Sequence, residues 1–125
     1  MSDLILIIED NEKNMKLARD LLQYHGFAVA GADNAEDGLA LARAQTPRLI
    51  LMDIQLPGMD GVTALGQLRG DPSTSGIPVV AMTASVMKED RERFDKAGFD
   101  GFITKPIDVR AFPQQVRDHI ARGRA

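Results

Sequence analysis

Five short apolar runs punctuate this chain: Leu4–Ile8, Phe27–Ala30, Leu49–Met52, Pro78–Met82 and Gly101–Thr104. A run such as Leu-Ile-Leu-Ile-Ile is apolar without alternation, the pattern of a strand buried on both faces in a parallel sheet. Each run is followed by residues at helical spacing. Met15, Ala18, Leu21, Leu22 and His25 follow the first; Ala35, Gly38, Leu39 and Ala42 follow the second, with Asn34 as N-cap. Val62, Leu65 and Leu68 follow the third, capped by Asp60. Val86, Arg93, Phe94 and Ala97 follow the fourth, with Gly98 as the stop. Val109, Phe112, Val116 and Ile120 follow the fifth, with Asp108 as cap. Strand–helix alternation five times over predicts an α/β fold, a five-stranded doubly wound parallel sheet with five helices. One element is awkward. Capped at Asp108, the last helix carries Pro113 in its second turn, so either it starts late or its first turn is irregular.

At 125 residues the chain makes about one domain. The turn-rich stretch Gly70–Gly76 is too short to separate two, so residues 1–125 read as a single domain with no output domain. Fifteen Lys+Arg against eighteen Asp+Glu leave a formal charge of −3, which argues against nucleic acid as the default partner. The absence of cysteine excludes disulfides, thiolate metal sites and a Cys nucleophile. The first apolar run spans residues 4–8 and follows Asp3. A secretory core needs ~7–15 residues and a spanning helix ~20, so the expectation is a soluble, cytoplasmic protein without a membrane partner.

In an open parallel sheet, ligands bind beyond the carboxyl ends of the strands, near the switch in strand order. Strand one ends in Glu9-Asp10, strand three in Asp53, strand four in Thr83 and strand five in Lys105-Pro106. Each has an ordinary alternative. Asp10 can cap the first helix, Asp53 can be a loop acid, Thr suits strands, and Lys105 can snorkel from an edge. Together they say more. Two carboxylates ~4 Å apart repel by about 4 kcal/mol at an effective dielectric near 20, and a divalent cation and the Lys105 ammonium are the natural offsets. Carboxylate and carbonyl oxygens select a hard ion, and few protein ligands with retained waters suit Mg2+ better than Ca2+. His25 and His119 fall on predicted helices outside this cluster and read as structural or exposed.

The order Glu9-Asp10, then Asp53 in DIQLPGMDG, then Thr83-Ala84, then Lys105-Pro106 resembles the receiver domain of bacterial two-component response regulators, over essentially the whole chain. The stretches EDNEKNMKLARDLLQYHGF, IPVVAMTASVMK and GFDGFITKPI resemble the single-domain regulators of bacterial cell-cycle and polarity control. The resemblance implies a flavodoxin-like (CheY-like) strand order 2-1-3-4-5. It implies that Asp53 accepts a phosphoryl group from a histidine kinase or histidine phosphotransfer protein. It places Mg2+, for which Mn2+ can substitute, on Asp10, Asp53 and the backbone carbonyl of Gln55, with Glu9 direct or through water. Lys105 and Thr83 then contact phosphoryl oxygens, and small Ala84 leaves room. Pro57, Gly58 and Gly61 suit the tight loop after Asp53. Thr83 and Phe102 form the implied switch pair, with Phe102 lacking the hydroxyl of the Tyr often found there. Gln55 and Ser85 occupy positions that tune acyl-phosphate hydrolysis in the family.

The resulting expectation is a phosphoacceptor rather than an enzyme, acting by phosphorylation-dependent contact with a downstream protein, as a monomer or weak dimer. Kinase docking falls on the first helix near Asn14, Met15 and Ala18. Three alternatives remain. One is an Asp-nucleophile, Mg2+-dependent phosphohydrolase, against which Gln55 stands where such enzymes carry a second acid. Another is a receiver in a hybrid-kinase or motility pathway. The last is a degenerate receiver that takes no phosphate, against which Asp10, Asp53, Thr83 and Lys105 are all present.

Overall fold

The computed structural model describes residues 3–84 and 87–124. Five strands alternate with five helices: β1 (Leu4–Ile8), α1 (Glu12–Tyr24), β2 (Ala28–Ala32), α2 (Ala35–Gln45), β3 (Leu49–Asp53), α3 (Gly61–Gly70), β4 (Val79–Thr83), α4 (Lys88–Ala97), β5 (Gly101–Thr104) and α5 (Phe112–Arg122). The strands pair in parallel in the order β2-β1-β3-β4-β5. The expected fold class and strand order are therefore observed.

Strand alternation divides the core in two. Ile5, Ile7, Leu49, Leu51, Val80, Met82 and Ile103 face one way and meet Ala18 and Leu22 of α1 and Phe112 and Val116 of α5. Leu6, Ile8, Ile50, Met52, Val79 and Ala81 face the other way and meet α2, α3 and Phe94 of α4. β1, β3 and β4 are buried on both faces, which is why their sequences carry no polar alternation. Full burial of one such Ile, Leu or Val contributes roughly 1.5–3 kcal/mol. Among the described residues, no helix is long and apolar enough to cross a membrane.

The caps explain where helices begin. Asn34 and Asp60 accept the backbone N–H of Asp37 and Thr63, as expected. Asn11, not Asp10, caps α1 by accepting from the Asn14 N–H. Gly98 closes α4 at φ 106°.

The last helix differs from expectation. It starts late, at Phe112, which puts Pro113 in the first turn, where no intrahelical donor is needed. Asp108 instead organises a turn ahead of it, its Oδ1 accepting from Arg110 and Ala111 N–H at 3.0 and 3.3 Å. Val109 consequently lies outside the helix and is exposed. Val62 and His25 are also exposed, while Ala64 takes the core position on α3. β2 is shifted to begin at Ala28 rather than Phe27. Val86 lies outside the described residues.

Candidate functional site

The strand order reverses between β1 and its neighbours β2 and β3, so the ends of β1 and β3 open onto the crevice of the switch point. Glu9 follows β1 and is buried; Asp10 turns outward and is exposed. Asp53 closes β3 and is buried. These three can each offer an oxygen within 4.8 Å of the others. Lys105 follows β5, its backbone N–H donating to the Thr83 carbonyl at 2.8 Å across to β4. A cis bond joins it to Pro106. Its Nζ donates to Asp53 Oδ2 at 3.0 Å and to Glu9 Oε2 at 3.1 Å.

Each carboxylate is further held. Asp53 Oδ1 accepts the Gln55 backbone N–H at 3.0 Å. Glu9 Oε1 accepts from Asn14 Nδ2 and from the Asn11 backbone N–H, both at 3.3 Å. Burial, reinforced by the Asp53 charge, pushes the Glu9 carboxyl above its ordinary range, despite Lys105. For Lys105, burial works to lower the pKa, but the hydrogen bonds and charges of Asp53 and Glu9 outweigh it and raise the value. The site therefore holds a fixed cation against two buried acids.

These groups line one cavity of about 600 Å3, together with Asn14, Gln55, Thr83 and Ala84. Thr83 is buried at the end of β4. The loop after Asp53 is tight in two places. Gly58 has φ 75°, and a Cβ on Gly61 would lie 2.8 Å from the Asp53 carbonyl oxygen. Phe102 stands apart from this cavity, half-buried on β5. Ser85 lies outside the described residues.

Two features were not read from the sequence. Asn14 reaches back from the first turn of α1 to hold Glu9, a role its Asn-x-x-Asn capping spacing partly signals. Asp90 and Arg93, paired at 3.3 Å on α4, border the cavity. One expectation is corrected. Ala18, placed above on a docking surface, is 3% exposed in the core between α1 and the sheet. The outer side of α1 carries Lys13, Lys16, Leu17, Asp20, Leu21 and Tyr24 instead.

The donor set fits a hard divalent ion, because every available side-chain ligand in the cluster is a carboxylate oxygen. A buried acid with one oxygen held by a backbone N–H and the other by an ammonium can also act as an oriented oxygen nucleophile.

A parallel five-stranded sheet with an acid trio and a lysine at its carboxyl end defines a class of signalling domain. The response regulator receiver domain model matches residues 5–117, and the chain belongs to that family. It is 42% identical over 116 residues to the polar-differentiation response regulator DivK of Brucella anthropi, covering 93% of this chain and 94% of that protein. It is 41% identical over 120 residues to DivK of Brucella ovis, covering 96% and 98%. The receiver domain of sensor histidine kinase PA1611 from Pseudomonas aeruginosa, whose crystal structure has a magnesium ion coordinated in the active site cleft, superposes with a TM-score of 0.87. It is 27% identical and covers 97% of this chain and 99% of that one. Chemotaxis response regulator CheY4 of Vibrio cholerae, at 19% identity and a TM-score of 0.90 over 95% and 99% of the two chains, shares the fold.

Proposed function

We propose that this receiver takes a phosphoryl group on Asp53 and signals by protein contact, in the control of cell polarity or the cell cycle. The observation that supports this most is the Lys105 ammonium, 3.0 Å from Asp53 Oδ2 and 3.1 Å from Glu9 Oε2. Held there, it lies where an incoming phosphoryl oxygen needs a counter-charge. The donor is a phosphohistidine on a kinase or phosphotransfer protein. An Asp53 oxygen attacks phosphorus, the P–N bond breaks, the imidazole leaves with the electron pair, and an acyl phosphate forms.

Asp10, Asp53 and the Gln55 carbonyl would hold Mg2+, with Glu9 direct or through water. When bound, the ion supplies neutralisation of the charge that gathers between carboxylate and phosphoryl oxygens. Thr83 lines the same cavity and donates its hydroxyl to the phosphoryl group. Movement of Thr83 then opens space for the Phe102 ring, which biases a two-state equilibrium at β4, α4 and β5. The similarity to polar-differentiation regulators supports the polarity assignment over a motility pathway. Gln55, uncharged two residues after Asp53, supports a phosphoacceptor over a phosphohydrolase.

The deciding experiment is a phosphate-affinity gel. The protein is incubated with Mg2+ and acetyl phosphate, beside Asp53→Ala and an EDTA control. The proposal expects a shifted band that disappears with either control. A band that survives in Asp53→Ala, or no band where another receiver shifts, overturns it.

A further inference from the structure

The face formed by α4 and β5 holds a contact that the phosphoacceptor chemistry leaves unused. Arg91 of α4 lays its guanidinium over the Phe102 ring, with Cζ 4.6 Å from the ring centroid. That is within range of an attractive cation–π contact. Phe102 packs its inner side on the core cluster under α3 and α4. Beside the pair runs an open groove of about 400 Å3, bordered by Lys88, Glu92, Phe99 and Arg122.

Arg91 behaves unlike its neighbours. Lys88 pairs with Glu92 and Arg93 with Asp90, each within α4. Arg91 is half-buried instead, and its buried Nε has no hydrogen-bond partner among the described residues. A long cationic side chain on a surface helix ordinarily carries its head into water. Here it forgoes one hydrogen bond to cover a ring.

The register says what the covered ring faces. Ala81 pairs with Phe102 and Thr83 with Thr104, so Thr83 and Phe102 project from the same face of the sheet. They are two residues apart along the strands, about 6.6 Å. A ring that swings toward Thr83 leaves Arg91.

We propose that Arg91 is a latch on Phe102: its guanidinium holds the ring away from Thr83 and weights the unphosphorylated protein toward the resting state. This rests on the reading of Asp53 as phosphoacceptor and of Thr83 and Phe102 as coupled. Linkage is reciprocal, so a contact that favours the outward ring opposes phosphorylation to the same degree. Arg91 is a positioning residue; it acts on the site through Phe102.

The test uses Arg91→Met, which keeps the stem and removes the cation, and Arg91→Lys, which keeps a cation. Both are good helix formers. The readout is the nuclear Overhauser effect between the Phe102 ring and the Thr83 methyl group, together with the rate of phosphorylation by acetyl phosphate. In the wild type the ring–methyl effect should strengthen on phosphorylation. In Arg91→Met it should already be stronger without phosphate, with the inward-to-outward ratio raised roughly three- to tenfold. Phosphorylation should also quicken, and Arg91→Lys should fall between. If the wild type responds to phosphorylation but Arg91→Met rests at the wild-type position, the latch is overturned. An effect unchanged by phosphorylation in the wild type overturns it too. A wild type that takes no phosphoryl group fails the gel assay first, which marks the fault as lying in the Asp53 reading beneath it.

Discussion

Lys105 Nζ and Asp53 Oδ2 lie 3.0 Å apart, although their residues are 52 positions apart in the chain. The same ammonium reaches Glu9, so one cation stands between two buried acids. Two carboxylates ~4 Å apart repel by about 4 kcal/mol at an effective dielectric near 20. Lys105→Met keeps the stem and removes the charge. Partial relaxation of the loops leaves an expected loss of ~1–3 kcal/mol in a urea melt without divalent ions. Addition of Mg2+ should recover part of it. A variant as stable as the wild type in EDTA would mean that the acids do not depend on this lysine.

Asp10 is exposed, so a change there tests the ion rather than the fold. Without Mg2+, Asp10→Asn removes one member of a repelling trio and should be as stable as the wild type or slightly more so. With Mg2+ at about ten times its Kd, the wild type should gain about 1.4 kcal/mol and the variant much less. The stability order of the two proteins should thus narrow or invert on adding Mg2+. Equal gains in thermal melts would take Asp10 out of the ligand set.

We propose the outer side of α1 as the surface on which a protein donor docks; Asn14 at its first turn touches Glu9 in the site. Leu17, 40% exposed there, sits between Lys13, Lys16 and Tyr24. Leu17→Arg should slow phosphotransfer from a kinase while leaving acetyl phosphate labelling within about twofold, as suits a rim contact rather than a reacting group. Equal slowing of both would place the effect in the site or the fold. Ala18→Glu cannot serve this purpose, because it buries a charge in the core.

Asp100 draws together elements that the sequence keeps apart. It is buried, with Oδ2 accepting from Arg69 at 2.7 Å and from the Val79 N–H at 2.9 Å, and Oδ1 from Arg124 at 3.0 Å. Asp100→Ala strands the half-buried Arg69 guanidinium and should cost ~3–5 kcal/mol in denaturant melts. Arg124 is more exposed, and Arg124→Ala should cost under about 1 kcal/mol. A reversed ranking would mean that the tail carries the cluster.

These residues also mark how far the sequence could be read. β1, β3 and β4 were legible because a strand buried on both faces must be apolar throughout. The convergence of Asp10, Asp53, Thr83 and Lys105 on one cavity was legible because each lies at the carboxyl end of a strand. Ala18 was misplaced because residues beside a site in the chain were taken to face it. Its spacing with Met15 and Leu22 already assigned it to the packed stripe of α1. Asp108 resembled a cap, but Pro113 fits best in a first turn, so the helix began later. The contacts of Arg91 with Phe102 and of Asp100 with Arg69 and Arg124 have no local pattern. They exist only because β4 and β5 pair and α3, α4 and the tail close around them.

His119 supplies the pH dependence. It is buried on α5, its imidazole so close to Gly101 that a Cβ there would lie 2.5 Å from Cε1. Burial, helped by the Arg122 charge, lowers its pKa below 6.5, against the opposite pull of Asp118 and Asp100. Folding thus favours the neutral ring. Its contribution is whole above the unfolded value near 6.5 and is lost as pH falls through the folded value. Glu9, raised by burial, has the opposite sign: its contribution is whole below about 4.5 and declines as pH rises through its folded value. Both act in the wild type, whereas only Glu9 acts in His119→Gln. The difference in stability between wild type and variant should therefore shrink as pH is lowered from about 7.5 to 5.5, whatever the other carboxylates do. A difference constant across that range would show that His119 titrates alike in the folded and unfolded chains.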